Sequence, residues 1–587
     1  MDPRTARRYD LLVCLFAAVI YVVACISPPA LMDDVDAVQA QIARTMLESG
    51  DWVTARLNGI AYLEKSPLVY WLMAISFSIF GVQDWAARIP IALSVIVLCW
   101  LTNRMGRWAF DARTGFYAGL SLSTCIGLFL FTRILIPDVI LTTTIALAMW
   151  GFLRALEKEE RRPKLWAYTF WAAIGTGLLL KGLIAAVFPI AVACLYLLFT
   201  KQLASIPRLR PVAGIVIALS IAAPWHLLAT LRNPPYLDLT PTSEAGQYHG
   251  FFWFYFLNEH VFRFLNMRHP RDYNTVPRYL FWMFHLLWLF PWSVYLPGIV
   301  QLSYKPMDRA GRTRFLALCW IGFVLVFFTF STTQEYYSMP IYPALALLIG
   351  CGMAANNRWT RVGSKILAVL AATSVIAIVI ILWHVQGLPT PGDISNALTQ
   401  NPDVYTLSLG HMGDLTLNSF AYLRLPLVVA GMAFLIGAIG AWRMRFLAIA
   451  AMMALFLNAA RLALVVFDPY LSSRALGEAV MAAPPGQLIA DNQYYTFSSI
   501  FFYTNRQALL LNGRVMNLEY GSYAPGAPDV FIDDAEFAEL WKSSKRYYVL
   551  VEKPSLGRFE NLVGKATLFS VKESGGKYLL TNHANLH

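Results

Sequence analysis

Three carboxylates within four residues, Asp33, Asp34 and Asp36, follow the first long apolar run of this chain. Held that close, such groups raise one another's pKa, bind a metal or supply a general base. A helix N-terminus would account for one of them through capping, but not for three. Tyr62, Glu64 and Lys65 come next, in Tyr62-Leu63-Glu64-Lys65-Ser66-Pro67. A lysine at a membrane interface binds a lipid phosphate, and a neighbouring glutamate takes a metal or orients the lysine. A snorkelling surface pair is the plainer alternative. Arg133 and Asp138 straddle a turn in FTRILIPD. Asn258, Glu259 and His260, with Arg263 behind them, stand in the aromatic stretch FFWFYFLNEHVFRF. Gln334, Glu335, Tyr336 and Tyr337 precede a helix opened by Pro340 and Pro343, and Lys181 is a lone cation at the top of a tight hairpin.

The elements that carry these residues are membrane spans. Of 587 residues 57% are hydrophobic and only 14% charged, against about 25% charged in a soluble domain. Apolar runs recur at roughly 9–27, 88–102, 114–132, 138–153, 165–180, 182–200, 211–229, 278–300, 314–331, 339–355, 364–384, 421–441 and 446–466, each near the ~20 residues a bilayer needs. The pattern predicts about thirteen spans over 1–466. Basic residues crowd before the first span (Arg4, Arg7, Arg8) and in alternate loops, such as Arg154 to Lys164 and Lys305 to Arg314. The positive-inside rule makes that side cytoplasmic, which explains the net charge of +12 without nucleic acid. Every cluster named above then falls on the outer side, together with the C-terminal residues 467–587. A pocket with both acids and cations, open to the outer leaflet, suits an anionic lipid headgroup. It suits a conduction path less, since no matching charges lie at mid-membrane.

Between the first two spans, residues 28–87 form a long outer loop. Val38 to Leu47 and Leu68 to Phe80 are expected there as interfacial helices. Two more outer segments run from Asn233 to Arg278, rich in aromatics, and from Gln386 to Phe420. Beyond Asp468, QLIAD, RYYVLVE and TLFSV read as short strands and Asp534 to Ser543 as a helix. They predict a small periplasmic α/β or α+β domain with its own core. The seven cysteines all lie in apolar runs without C-x-x-C spacing and read as packing residues. The first run lacks a cleavage site of the A-x-A kind and reads as a retained span in a bacterial inner membrane. No phosphate-cradling glycine loop is visible, so no nucleotide cofactor is expected.

Several stretches carry a resemblance. They are DDVDAVQAQIARTMLESGDWVTARLNGIAYLEKSPLVYWL from Asp33, AARIP at 86–90, RILIPD at 133–138, LLLKG at 178–182, FLNEHVFRF at 256–264, QEYYSMPIYPALAL at 334–347 and SSIFFYTNR at 498–506. The chain resembles the GT-C type polyprenyl-phosphate-sugar glycosyltransferases of the protein O-mannosyltransferase superfamily, in particular the bacterial lipid A aminoarabinose transferases. The resemblance implies inverting transfer of a sugar from undecaprenyl phosphate to an outer-leaflet or periplasmic acceptor: lipid A, a glycan or a protein. Lys65 matches the lysine on the donor phosphate, with Arg263, Lys181 and Arg133 as further cations. Glu64 and His260 match residues associated with a divalent metal, zinc or manganese. Asp138 matches a functional acid, and Tyr62, Glu335, Tyr336 and Tyr337 are expected along the acceptor cavity.

Two departures stand out. Where the family has Pro-Asp-Glu, this chain has DDVD, which places either Asp36 or the Asp33-Asp34 pair at the catalytic position. Asp34 is favoured, because adjacent residues point apart and Asp36 has capping as a sufficient role. Gln334-Glu335 also replaces a family lysine. A lipid-linked sugar transporter or flippase, and a non-catalytic membrane scaffold, are the alternatives. The first would show paired broken helices with polar groups at the midplane. The second would not need grouped carboxylates.

Overall fold

The structure is a computed structural model and describes residues 3–270, 276–331, 334–399 and 413–584. Parts of two expected outer segments, 271–275 and 400–412, lie outside the described residues.

Among the described residues nine helices are long and apolar enough to cross a membrane. They are α1 (Pro3–Ile26), α4 (Asp84–Ala109), α7 (Asp138–Leu156), α10 (Pro211–Arg232) and the helices at Arg309–Phe330, Glu335–Ala355, Arg358–Val385, Arg424–Trp442 and Phe446–Val466. Two expected spans are broken instead of straight. The first is α5 (Ala112–Ser123) with α6 (Ile126–Thr132), bent by 48°; the second is Arg278–Trp288 with Trp292–Ile299, bent by 95°. The remaining two are α8 (Pro163–Lys181) and the shorter α9 (Ile184–Phe199). The two breaks satisfy each other. Ile126 N, freed where α6 starts, donates to Phe290 O at 3.2 Å, and Trp292 Nε1 donates to Thr124 Oγ1 at 3.0 Å. In hydrocarbon an open backbone group costs several kcal/mol, so paired breaks are tolerated where single ones are not. Small residues draw neighbouring helices together: a Cβ on Gly106 of α4 would meet the Gly115 Cα of α5 at 2.7 Å.

The loop after α1 holds α2 (Val35–Ser49) and α3 (Leu68–Phe80), close to the two expected interfacial helices. Between them Asn58-Gly59 turns a two-stranded hairpin, β1 (Arg56–Leu57) and β2 (Ile60–Ala61), with positive φ at both turn residues. The Asn58 side chain continues into the C-terminal domain, exchanging two hydrogen bonds with the backbone of Ala508 at 2.9 and 3.1 Å.

That domain is a six-stranded sheet: β3 (Gln487–Asp491), β4 (Ala508–Leu511), β5 (Phe531–Ile532), β6 (Tyr547–Glu552), β7 (Phe569–Ser574) and β8 (Lys577–Thr581). The order is β5-β4-β3-β6-β8-β7, parallel through β6 and antiparallel at the last two. Its central strands are buried on both faces, as continuous apolar runs require. Ile489, Val549 and Val551 pack with Phe537, Trp541 and Phe559 in a cluster of the domain's own. Leu488, Ala490 and Leu550 belong instead to the main core, with Phe501, Phe502 and residues of α2 such as Val38. The expected separate core is therefore only half of the domain; the other half is shared with the membrane part.

Candidate active site

A cavity of about 610 Å³ opens where one set of helix ends meets the C-terminal domain. Asp34, Tyr62, Glu64, Lys65, Asp138, Lys181, His260, Arg263, Tyr336 and Tyr337 line it, so residues far apart in sequence converge as expected. Asp33, Asp36, Arg133 and Glu335 do not line it.

The acidic triplet divides three ways. Asp33 turns into the C-terminal domain. Its carboxylate accepts from Ser499 N at 2.8 Å, Ser473 Oγ at 2.5 Å and Lys577 Nζ at 2.6 Å. Asp34 sits at the start of α2 with φ 71° and ψ −124°, a region unfavourable for a side chain bearing a Cβ. Its backbone N–H is held by Tyr495 O and Ser498 Oγ, both at 2.8 Å, and the residue lines the cavity. Strain over-determined by its surroundings is common at functional sites. Asp36 is not a cap. It lies inside the first turn of α2, fully buried, where it pairs with Arg88 at 3.0 Å and accepts from Leu135 N at 3.1 Å and Met32 N at 3.3 Å. Burial pushes its carboxyl pKa up, against the pull of Arg88 and these backbone donors.

Arg133 and Glu335 stand near that buried pair, outside the cavity. Arg133 reaches Met32 Sδ at 3.5 Å, and the carboxylates whose charge acts on it are Asp36 and Glu335. The turn from Ile134 to Pro137 explains the split. It points Leu135 N at Asp36 and delivers Asp138 to the cavity, leaving Arg133 on the far side.

Within the cavity Asp138 Oδ1 accepts from Lys181 Nζ at 2.5 Å. Its other oxygen is buried and has no hydrogen-bond partner among the described residues. The Lys181 ammonium also stands 5.0 and 4.9 Å from the rings of Tyr336 and Tyr337, a cation–π arrangement. Across from it, Lys65 pairs with Glu64 Oε1, and Tyr62 OH donates to Glu64 Oε2 at 2.9 Å. Arg263 bonds Glu259 at 2.8 Å and Tyr337 OH at 3.0 Å, and lies 3.9 Å from Glu64. Burial alone would raise the Glu64 carboxyl, but Lys65, Arg268 and Arg263 outweigh it and hold the group below the usual carboxylate range.

The metal expectation fares less well. Glu64 and His260 share the cavity, and His260 Nδ1 donates to Tyr255 O at 2.5 Å. Both Glu64 oxygens, however, already accept from Lys65, Tyr62 and Asn517. Among the described residues no group of three His, Cys, Asp or Glu side chains is placed to hold an ion. The residues as arranged do not fit a metal centre.

Sequence reasoning missed the C-terminal contribution. Tyr495, Met516 and Asn517 line the cavity from the loops after β3 and β4, at the carboxyl ends of parallel strands where α/β sheets commonly bind ligands. No local motif marks them.

A family model described as dolichyl-phosphate-mannose-protein mannosyltransferase matches residues 64–227. An undecaprenyl phosphate-alpha-4-amino-4-deoxy-L-arabinose arabinosyl transferase of Erwinia tasmaniensis is 25% identical over 553 residues, covering 92% of each chain. One from Pseudomonas fluorescens is 31% identical over 362 residues, 58% of this chain and 56% of the relative. The chain spans about half the length of that relative, as it does of one from Aeromonas salmonicida (54%). The crystal structure of ArnT from Cupriavidus metallidurans bound to undecaprenyl phosphate superposes with a TM-score of 0.77 at 21% identity, covering 100% of this chain and 99% of that one. At that identity the likeness establishes the fold, which is GT-C.

Proposed function

We propose that this multi-span membrane protein of GT-C fold is an inverting glycosyltransferase. It moves a sugar from an undecaprenyl-phosphate carrier to an outer-leaflet or periplasmic acceptor such as lipid A, a glycan or a protein. The observation that carries the proposal is the charge arrangement of the cavity: Lys65 and Arg263, both beside Glu64, line it together with Asp34 and with Asp138, which pairs with Lys181. The relatives are named for an undecaprenyl-phosphate sugar, and such a donor leaves as a phosphate anion. Fixed cations in a low-dielectric site stabilise that anion as charge develops. The acceptor hydroxyl attacks the anomeric carbon, the bond from that carbon to the phosphate oxygen breaks, and the acceptor's proton passes to the Asp34 carboxylate. Asp138 pairs with Lys181 and holds that ammonium at the cavity. No nucleotide takes part. A transporter or scaffold would have no use for a strained aspartate in one cavity with Lys65 and Arg263.

The proposed placement is an inner membrane with a cytoplasmic N-terminus and a periplasmic C-terminal domain. The domain sits over the same helix ends as the cavity, opposite the basic loops, which supports that orientation.

The test is transfer by purified protein from an undecaprenyl-phosphate sugar to lipid A, glycan and peptide acceptors, followed by mass spectrometry. Glycosylated acceptor and free undecaprenyl phosphate in equal amounts are expected. No transfer to any acceptor class would overturn the proposal. Zinc or manganese, with Glu64 and His260 as ligands, is tested in the same assay: a rate lost on chelation and restored by the ion would reinstate the metal, and no step above runs through it.

A further inference from the structure

The C-terminal domain reaches into the phosphate-binding cluster through one side chain. Asn517 stands at the start of the short helix Met516–Ser522, just beyond β4. It is buried between two charged groups of the membrane part. Its Nδ2 donates to Glu64 Oε2, with Tyr62 OH at 3.5 Å. Its Oδ1 accepts from Arg268 Nη2 at 2.5 Å. Arg268 is wholly buried and pairs with Glu259, which pairs with Arg263 at 2.8 Å, which lies 3.9 Å from Glu64. Glu64, Asn517, Arg268, Glu259 and Arg263 therefore close a ring, and Lys65 hangs from it through Glu64.

The chemistry of each position limits what can stand there. Glu64 offers oxygens only, so its partner must donate. Arg268 offers N–H groups only, so its partner must accept. A side-chain amide does both from one small group. The ring alternates two guanidinium groups with two carboxylates, and Lys65 adds a third cation beside it. A buried ring of this kind fixes its members only if every one is satisfied.

From this geometry we infer that Asn517 is a positioning residue for the proposed transfer: it sets Glu64, and through Glu64 the Lys65 ammonium that meets the donor phosphate. The inference rests on the proposed glycosyltransferase function. It makes the soluble domain part of the donor site, rather than a cover over the membrane part.

Asn517→Asp is the informative variant. It keeps the shape and the acceptor for Arg268 but replaces the donor facing Glu64 with a second acceptor. If Asn517 only fills space and docks the domain, the variant keeps its turnover. If it positions Glu64, kcat falls at least tenfold at pH 8 while the protein still purifies as a folded monodisperse species. The rate relative to wild type then recovers as pH falls and the introduced carboxyl gains a proton to donate. In a Glu64→Gln background the same change has less than a twofold effect, because the amide at 64 can itself donate. Wild-type turnover in Asn517→Asp, or a relative rate that does not change with pH, overturns the inference. Absence of transfer by the wild-type protein in the same assay counts against the proposed function itself, so the two failures are distinguishable.

Discussion

Lys65 keeps its charge in a cavity where burial works against it, because Glu64 more than offsets that cost and holds the ammonium above its ordinary pKa. A fixed cation is what a departing phosphate needs. Lys65→Ala is expected to lower kcat by at least about a hundredfold, at the lower end for removing a transition-state donor, with the protein still inserted and folded. Near-normal turnover of the purified variant would rule this out. The acidic triplet gives a second test. Asp34→Asn is expected to cost at least about a hundredfold in rate, as for loss of a general base. Asp36→Asn leaves Arg88 without its counter-charge in the interior, and breaking such a pair costs about 3–5 kcal/mol. The loss should appear in melting and yield, with near-normal rates in whatever folds. Collapse of rate in Asp36→Asn with intact folding would reverse the two roles. The sequence located this triplet but could not divide it. The +71° φ of Asp34 and the three donors on Asp33 are set by Tyr495, Ser498, Ser499, Ser473 and Lys577, at the other end of the chain.

Elements were legible where their own period or length specifies them. α3 runs from Leu68 to Phe80 as expected, and α2 extends the expected stretch by a few residues at each end. The strands β4, β5 and β8 were not anticipated, since runs of two to five residues carry too little pattern. The bends in two spans also escaped notice: Pro291 stands in the 95° break, but the 48° break at Thr124-Cys125 has neither proline nor glycine, and Ile126 N there bonds to Phe290 O in the other break. One element boundary titrates. Asp468 opens the turn after the last span and accepts the Ala30 N–H on both oxygens at 3.0 Å. Burial pushes its pKa up to about 6, against the pull of that donor and of Arg88. A folded value above the unfolded one means stability is full below the unfolded pKa, near 3.8, and is lost as pH rises through 6. Asp468→Asn removes the titration. It should melt higher than wild type at pH 8, and the gap should close as pH falls from about 6 toward 4. A gap that stays constant with pH would place the titration elsewhere.

At the scale of the whole molecule, two separate features point the same way. The basic residues of the loops from Arg154 to Lys164 and from Lys305 to Arg314 lie at one set of helix ends. The cavity and the C-terminal domain lie at the other, joined by the Asp33–Lys577 pair, by Asn58 on Ala508 and by Asn517 on Glu64. A donor lipid with its phosphate in the cavity would have its headgroup in the leaflet beneath the domain. Positive-inside bias is a statement about short loops, and both basic loops are short. An odd number of crossings brings the N-terminus and the domain to opposite sides, and thirteen is the count with the two bent pairs, α8 and the short α9 included. The bent pair ending at Ile299 crosses despite its 95° break, because Arg309 and Arg312 beyond it pair with Glu157, in the loop after α7, at 3.2 and 2.9 Å. If that pair were re-entrant, the loop from Lys305 to Arg314 would face the periplasm, and the parity of everything after it would change. Reporter fusions resolve this in order along the chain. Fusions at Pro163 and at Met307 should both report the cytoplasm, and one at Pro485 the periplasm. A periplasmic signal at Met307 would make the pair re-entrant, and matching signals at Pro163 and Pro485 would remove the domain from the side on which the cavity needs it.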